Sequence, residues 1–413
     1  MLPLCYYCVI KICQDSSNKT KEEKMTNLKT ITLSAVVIAA MTGCGDTTIT
    51  QGDSTVTITG DTTTGTSGTT ESASLQATEC AKPVNEKTLA GNISTDMDLT
   101  ADTLWLLDGL VVVQAGATLT IEPCTTIAGY AGTGNSTSYM IVDKGATIIA
   151  DGTETEPIIF TSAEVALYGG SPAWGQWGGL TIIGNAGNSQ VQAYEVNTAY
   201  GGYDAATNNL NDSSGVLRHV KIFNSGITMA QDKEINGISF VGVGSGTIVE
   251  DITVDQSDDD CVEVWGGTVN FRNVTLSNCS DDHFDIDDGY SGTVRNLVIN
   301  QTTGNAGIEM SGYTAATFDG FTITQDFSNK EGGIFFKKVG IGGHFKNGTV
   351  IDNSVEGAGT IHSRDAADTN NISFENVTLT GTSSDPRFTD DANGGSAAAI
   401  EAIFNSGTGN VVN

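Results

Sequence analysis

The sequence predicts an all-β chain folded as a right-handed parallel β-helix, with about three short strands per coil. Three observations carry the prediction. First, the segments "VEDITV", "FRNVTL", "VRNLVI", "FDGFTI", "FKNGTV" and "FENVTL" recur in order. Their third residues, Asp251, Asn273, Asn296, Gly320, Asn347 and Asn376, are spaced by 22, 23, 24, 27 and 29 residues. A repeat of this length is one supersecondary unit stacked on the next. Second, "GATLTIEPCTTI" from Gly116 returns as "GATIIADGTETEPIIF" from Gly145, 29 residues on. Third, the chain holds 50 glycines and only 6 prolines, and its β-branched alternation has the period of strands. A single core over residues 80–413 would ordinarily split into domains; a solenoid grows along one axis instead. Handedness follows the general rule for parallel crossovers.

The elements follow in chain order. Residues 1–24 read as a leader translated ahead of the true start, because "KEEK" (21–24) would be encoded by purine-rich codons and Met25 follows it. Residues 25–43 read as a signal peptide, in which Lys29 precedes an apolar run, Ile31 to Met41, too short to span a bilayer. Met41-Thr42-Gly43-Cys44 resembles a bacterial lipoprotein cleavage site, which implies lipidation of Cys44 and attachment to a membrane through that lipid. Gly45, rather than Asp, favours export to the outer membrane or cell surface. Residues 44–79 are mostly Thr, Ser, Gly and acidic residues and read as a flexible stalk. Residues 80–413 form the solenoid. "GLTIIG" (179–184) matches "GISFVG" (237–242), so 185–215 is an insertion carrying Tyr194, Tyr200 and Tyr203. Residues 390–413 are a cap, with "SAAAIEAIFNS" (396–406) as a short helix over the open end.

Charge narrows the partners. Residues 44–413 hold 14 Lys/Arg and 46 Asp/Glu, a net charge near −32. Such a surface excludes nucleic acid and favours cations, or ligands bridged by cations. Outside the leader the cysteines are Cys44, Cys80, Cys124, Cys261 and Cys279. The last four allow three pairings in an oxidising compartment; sequence proximity favours Cys80–Cys124 with Cys261–Cys279.

A second strand set keeps the same register: "GISFVG", "CVEVWG" (261–266), "HFDIDD" (283–288), "GIEMSG" (307–312), "GIFFKK" (333–338) and "TIHSRD" (360–365). Alternation turns Thr181, Ser239, Glu263, Asp285, Glu309, Phe335 and His362 outward in one column. A second outward column holds Val241, Trp265, Asp287, Ser311, Lys337 and Arg364, and a third holds Cys261 and His283. Carboxylates stacked about 4.8 Å apart repel by roughly 1 kcal/mol in water and about 3.5 kcal/mol at an effective dielectric of 20. Glu263, Asp285 and Glu309 therefore need a bridging cation, a raised pKa or splayed side chains. Calcium suits an all-oxygen shell, and the expected ligands are Asp258, Asp259, Asp260, Glu263, Asp281, Asp282, Asp285, Asp287 and Asp288. Trp265, Lys337 and Arg364 are the expected glycan contacts on this face.

The motifs "LTIEPCTTIAGYAGTG", "GTETEPIIFTS", "WGGLTIIGNA", "SSGVLRHVKI", "EINGISFVGVGSGTIVEDITV" and "DDDCVEVWGGTVN" occur in one order. With them the chain resembles exported bacterial β-helix proteins, often surface lipoproteins, for which no biochemical function is settled. "SDDDCVEVWGGTVNFRNVTLSNCSDDHFDI" is locally similar to polygalacturonase-type glycoside hydrolases. That likeness implies Asp259 and Asp260 as paired carboxylates, His283 as a supporting histidine and Cys261–Cys279 as a bridge. "INGISFVG" and "GIEMSG" depart from it, lacking the family's further aspartate and its Arg-x-Lys.

The expectation is a cell-surface lipoprotein whose β-helix binds a glycan or surface partner through an acidic, calcium-bearing face. A polysaccharide lyase or hydrolase is the alternative, with Glu263, Asp285, Glu309, His283, Lys337 and Arg364 as its catalytic candidates. A structural or adhesive surface protein is the third reading.

Overall fold

In a computed structural model of the chain, the described residues are 80–413 without 189, 232, 328–330, 339, 355–356, 366–368 and 392–394, together with 47–51 and 54–58. The proposed leader, the signal peptide and the lipid site at Cys44 lie outside them. The chain divides into two units, 1–76 and 77–413. In the first, Thr47–Gln51 pairs antiparallel with Ser54–Ile58. The rest of the expected stalk, 44–46, 52–53 and 59–79, lies outside the described residues.

The second unit is a right-handed parallel β-helix with three stacks of strands. One stack runs through Thr118–Ile121, Thr147–Asp151 and Gly215–Arg218. A second runs through Thr126–Gly129, Ile158–Ser162 and Val220–Ser225. From Ile248 onward these two are joined into single bent strands, such as Ile248–Ser257 and Asn270–Ser277. The bend residue is the recurring one of the sequence. Asp251, Asn273, Asn296, Asn347 and Asn376 all have φ between 53° and 57°, and Gly320 has φ 78°. Asn tolerates this left-handed backbone and Gly takes it freely. The Asn side chains also form a ladder: Asn273 donates to Asp251 at 2.8 Å, Asn296 to Asn273 at 2.9 Å, and Asn376 to Asn347 at 3.2 Å.

The third stack carries the acidic face. Its strands are Leu180–Ile183, Ile238–Val241, Val262–Trp265, Phe284–Asp287, Ile308–Met310, Ile334–Phe336, Ile361–Ser363 and Phe388–Asp390. Inside, rings follow one another along the axis, edge-to-face from Phe240 through Phe271 and Phe284 to Phe318, stacked from Phe318 through Phe345 to Phe374, and tilted at Phe404. Phe404 and Ile400 are the buried residues of the helix Ala397–Ser406, so the last coil's apolar end is covered. The bridges are Cys80–Cys124 and Cys261–Cys279.

Charge is matched from coil to coil on another part of the surface. Arg218 pairs with both Asp151 and Glu250, and Arg272 also meets Glu250. Opposite charges face each other in these adjacent strands, as sheet energetics favours, although the next step of the column sets Arg272 opposite Arg295. The acidic face breaks this rule.

Candidate functional site: a carboxylate cluster on the third stack

The strand register aligns Thr181 with Ser239, Glu263, Asp285, Glu309, Phe335 and His362 in successive coils. The expected column therefore exists, but it is not an open surface. Asp285 is 7% exposed and Glu309 is 1% exposed. Upstream, the insertion and the hairpin Ile227–Ala230 with Lys233–Ile235 lie over the face. Val191 and Tyr194 of the insertion, with Ile235, pack on Ile141, Ile183, Val241 and Trp265.

Two further acidic columns adjoin the first. The residue one step before each coil's first core-facing corner is Asn236, Asp260, Asp282, Ala306 and Gly332. The backbone bonds Gly237 N to Asp260 O, Cys261 N to Asp282 O, His283 N to Ala306 O and Gly307 N to Gly332 O fix that alignment. Two steps before come Asp259, Asp281, Asn305 and Glu331. Oxygens of three groups approach one another within 4.8 Å: Asp259, Asp260 and Asp281; Asp260, Glu263 and Asp285; Asp282, Glu309 and Glu331. Part of this acidity serves the backbone. Asp260 accepts from the Asp282 N–H at 2.7 Å, and Asp282 accepts from the Ala306 N–H.

Burial and mutual repulsion, in that order, set the protonation of the cluster. Desolvation, then neighbouring carboxylates, raise Asp260, Glu263, Asp282 and Asp285 well above the carboxylate range. The same causes push Asp259 to about 8 and Glu331 to about 7. At the downstream end Lys337 pairs with Glu309. Burial alone would lower the Lys337 ammonium, but Glu309 and Asp285 more than reverse this and its pKa is raised. Among the described residues, Asp259, Asp260, Glu263, Asp281 and Asp285 form no ion pair. Asp259 Oδ2, Asp285 Oδ1 and Asn236 Oδ1 are buried without a hydrogen-bond donor.

Several expected residues stand elsewhere. Asp258 is met by Ser280 Oγ at 3.4 Å, Asp287 by Lys338 Nζ at 3.0 Å, and Asp288 by the Gln192 N–H at 2.8 Å. These three do not join the close oxygen groups. Trp265 is corrected as a glycan platform: it is 9% exposed, and Tyr194 packs edge-on against it at 5.8 Å. Arg364 lies over the Phe335 ring at 5.9 Å and donates from Nε to the Lys337 carbonyl at 3.2 Å. His283 is corrected as an outward residue. Its position turns into the solenoid corner, as a Cβ on the equivalent Gly333 would, meeting Val350 and Gln325. Burial holds the His283 imidazole down at about 4, so it is neutral and sealed from substrate.

Glu331 and Asn236 were not anticipated, although the signal was available. Glu331 precedes Gly333 by two residues, as Asp281 precedes His283, and Asn236 precedes Gly237 as Asp260 precedes Cys261.

A family model described as a pectate-lyase-like β-helix domain matches residues 91–413. The chain belongs to that family. No curated protein matches it. A solved structure of PfbA, a surface adhesin of Streptococcus pneumoniae, is similar at 10% identity and a TM-score of 0.26, covering 71% of this chain and 86% of that one. Among the described residues no helix is long and apolar enough to cross a membrane.

Proposed function

We propose that this β-helix is a non-catalytic, calcium-binding domain of an exported surface protein, with the cation held by Asp260, Glu263 and Asp285. The observation that carries the reading is the asymmetry of the carboxylate cluster. Its downstream end contains its own cation, Lys337, which pairs with Glu309 and also acts on Asp285, whereas Asp260 and Glu263 bring oxygens close to Asp285 without an ion pair of their own among the described residues. A hard divalent ion with oxygen ligands would offset that charge. Two disulfides fit an oxidising, exported location.

The enzymatic alternative loses its cast. Lys337 is bound to Glu309 and its raised pKa opposes work as a base. His283 faces the interior. Asp260, one of the paired carboxylates implied by the hydrolase likeness, caps a backbone amide. The family match supports a polysaccharide-related role, but a glycan would have to be read by surfaces other than Trp265. Calorimetric titration of the full chain with calcium tests the reading, with Asp285→Asn as control. Saturable binding lost in the variant supports it; absence of heat in the wild type refutes it. Product release from acidic polysaccharides in the same buffer would restore the enzyme.

A further inference from the structure

We propose that the bend of the long strands is a second binding site, independent of calcium, and that its ligand is a neutral, extended polysaccharide lying along the solenoid axis. The site is separate from the carboxylate cluster and goes beyond the calcium reading.

Two ranks of side chains run side by side along the bend. The first is the bend rank itself, Asp251, Asn273, Asn296, Gly320, Asn347 and Asn376. The second stands two residues further along each strand, and the register aligns Thr253, Thr275, Val298, Thr322, Thr349 and Thr378 in successive coils. Both chain neighbours of each member of this second rank are buried, so alternation turns the rank outward. Among the described residues, none of its five threonine hydroxyls has a hydrogen-bond partner in the protein. Each Asn amide of the bend rank carries two N–H groups, and the ladder uses one. Asn273 donates to Asp251, Asn296 to Asn273, Asn347 to Asp319 and Asn376 to Asn347.

The upstream end of the two ranks opens into a concavity of about 520 Å³, a volume within the range of small-ligand sites. Thr253, Thr275 and Val298 line it together with Asp251, Asn273 and Asn296, and its end wall is Thr153, Glu154, Pro157, His219 and Lys221. Lys221 is aligned with Thr253 and so heads the threonine rank. Its ammonium forms no ion pair among the described residues. Val298 is 39% exposed and adds an apolar contact to the floor.

The chemistry of the ranks selects the ligand. From Thr253 to Thr378 the threonine rank carries no charge, in a chain whose formal net charge is −30. A polyanion finds no counter-charge along it and is repelled by the chain as a whole. A peptide added as a further strand needs free backbone groups, and the bent strands between Asn270 and Asp352 are already paired on both sides. Hydroxyls and amides both donate and accept, as sugar hydroxyls do, while the methyls of Thr and Val suit the apolar faces of sugar rings. The groups recur about 4.8 Å apart, so Thr253 to Thr349 spans about 19 Å. A straight row of this length matches an extended ribbon such as a cello-oligosaccharide, and not a coiled chain such as amylose.

Calorimetric titration of the full chain with cellohexaose, carried out in chelator, tests the site. Saturable binding is expected, with none for maltohexaose or polygalacturonate. Thr253→Val, Thr275→Val and Thr349→Val combined should weaken binding at least tenfold, since three hydroxyl contacts are lost. Valine suits a strand, and the row already holds one at Val298, so circular dichroism should stay native. No binding of cellohexaose, or equal binding of maltohexaose, would overturn the proposal. Unchanged affinity in the triple variant would overturn it as well, by placing the sugar on another surface. Should that variant lose its native spectrum, Lys221→Ala on the end wall is the second probe: it should weaken binding at least threefold, and full affinity would contradict the site. Because calcium is absent throughout, failure here leaves the calcium reading standing, and failure of the calcium reading leaves this site standing.

Discussion

Lys337 pairs with Glu309 of the preceding coil, and no lysine or arginine among the described residues does the same for Glu263, two coils before Glu309. One column of carboxylates is thus neutralised at one end and bare at the other. The consequences are measurable.

Lys337→Ala should be strongly destabilising, by about 3–5 kcal/mol, because it strands the buried Glu309 carboxylate. Lys337→Ala combined with Glu309→Gln should recover much of that loss. Thermal melts of the three variants check this; an unaltered melting temperature in the single variant would contradict it.

Glu263→Gln should behave in the opposite sense. Removing one member of a buried like-charge group should raise the melting temperature in chelator by a few degrees. The same change should reduce the stabilisation given by calcium, since a ligand carboxylate is lost.

The pH dependence follows from the raised carboxylates. In the folded state Asp259 titrates near 8, Glu331 near 7 and Asp288 near 6, against ordinary values of 3.8 to 4.5. The fold therefore holds protons that the unfolded chain has released. Stability in chelator should fall as pH rises from the ordinary carboxylate range through about 8. His283 works in the other direction: its stabilising neutrality is lost as pH falls from 6.5 toward 4. Melts in chelator should show a maximum on the acid side of neutrality, and the increment from calcium should grow with pH. A flat profile from pH 5 to 8 would contradict the buried cluster.

Asn296→Ala should cost about 1–2 kcal/mol, since it loses the bond to Asn273 and places Ala at φ 56°. Denaturant melts check it. The adjoining position, Gly320, carries no amide to continue the ladder, so the effect should be confined to one side of the bend.

The coil register was legible because it obeys two short rules, alternation along a strand and one strand per coil per stack. Glu263, Asp285 and Glu309 could be aligned by those rules alone. Burial around that column was not legible, because it comes from segments outside the repeated strands: the insertion that packs on Trp265, and Glu331 and Lys337, which close on Glu309. Trp265 was placed on the correct side of its strand for this reason, yet Tyr194 closes it off. His283 failed on geometry: at a solenoid corner the chain turns, and alternation no longer tells inside from outside. Glu331 and Asn236 were reachable by extending the register two residues upstream of each strand.

The most direct test of the central claim is anomalous diffraction from crystals of the full chain grown with terbium, a calcium-like ion with a strong anomalous signal. The account predicts a difference peak with oxygens of Asp260, Glu263 and Asp285 about 2.3–2.6 Å away, displaced by excess calcium. A map with no peak at the cluster, at an occupancy that reveals terbium elsewhere on the molecule, would show that the carboxylates are held by protons alone and contradict the account.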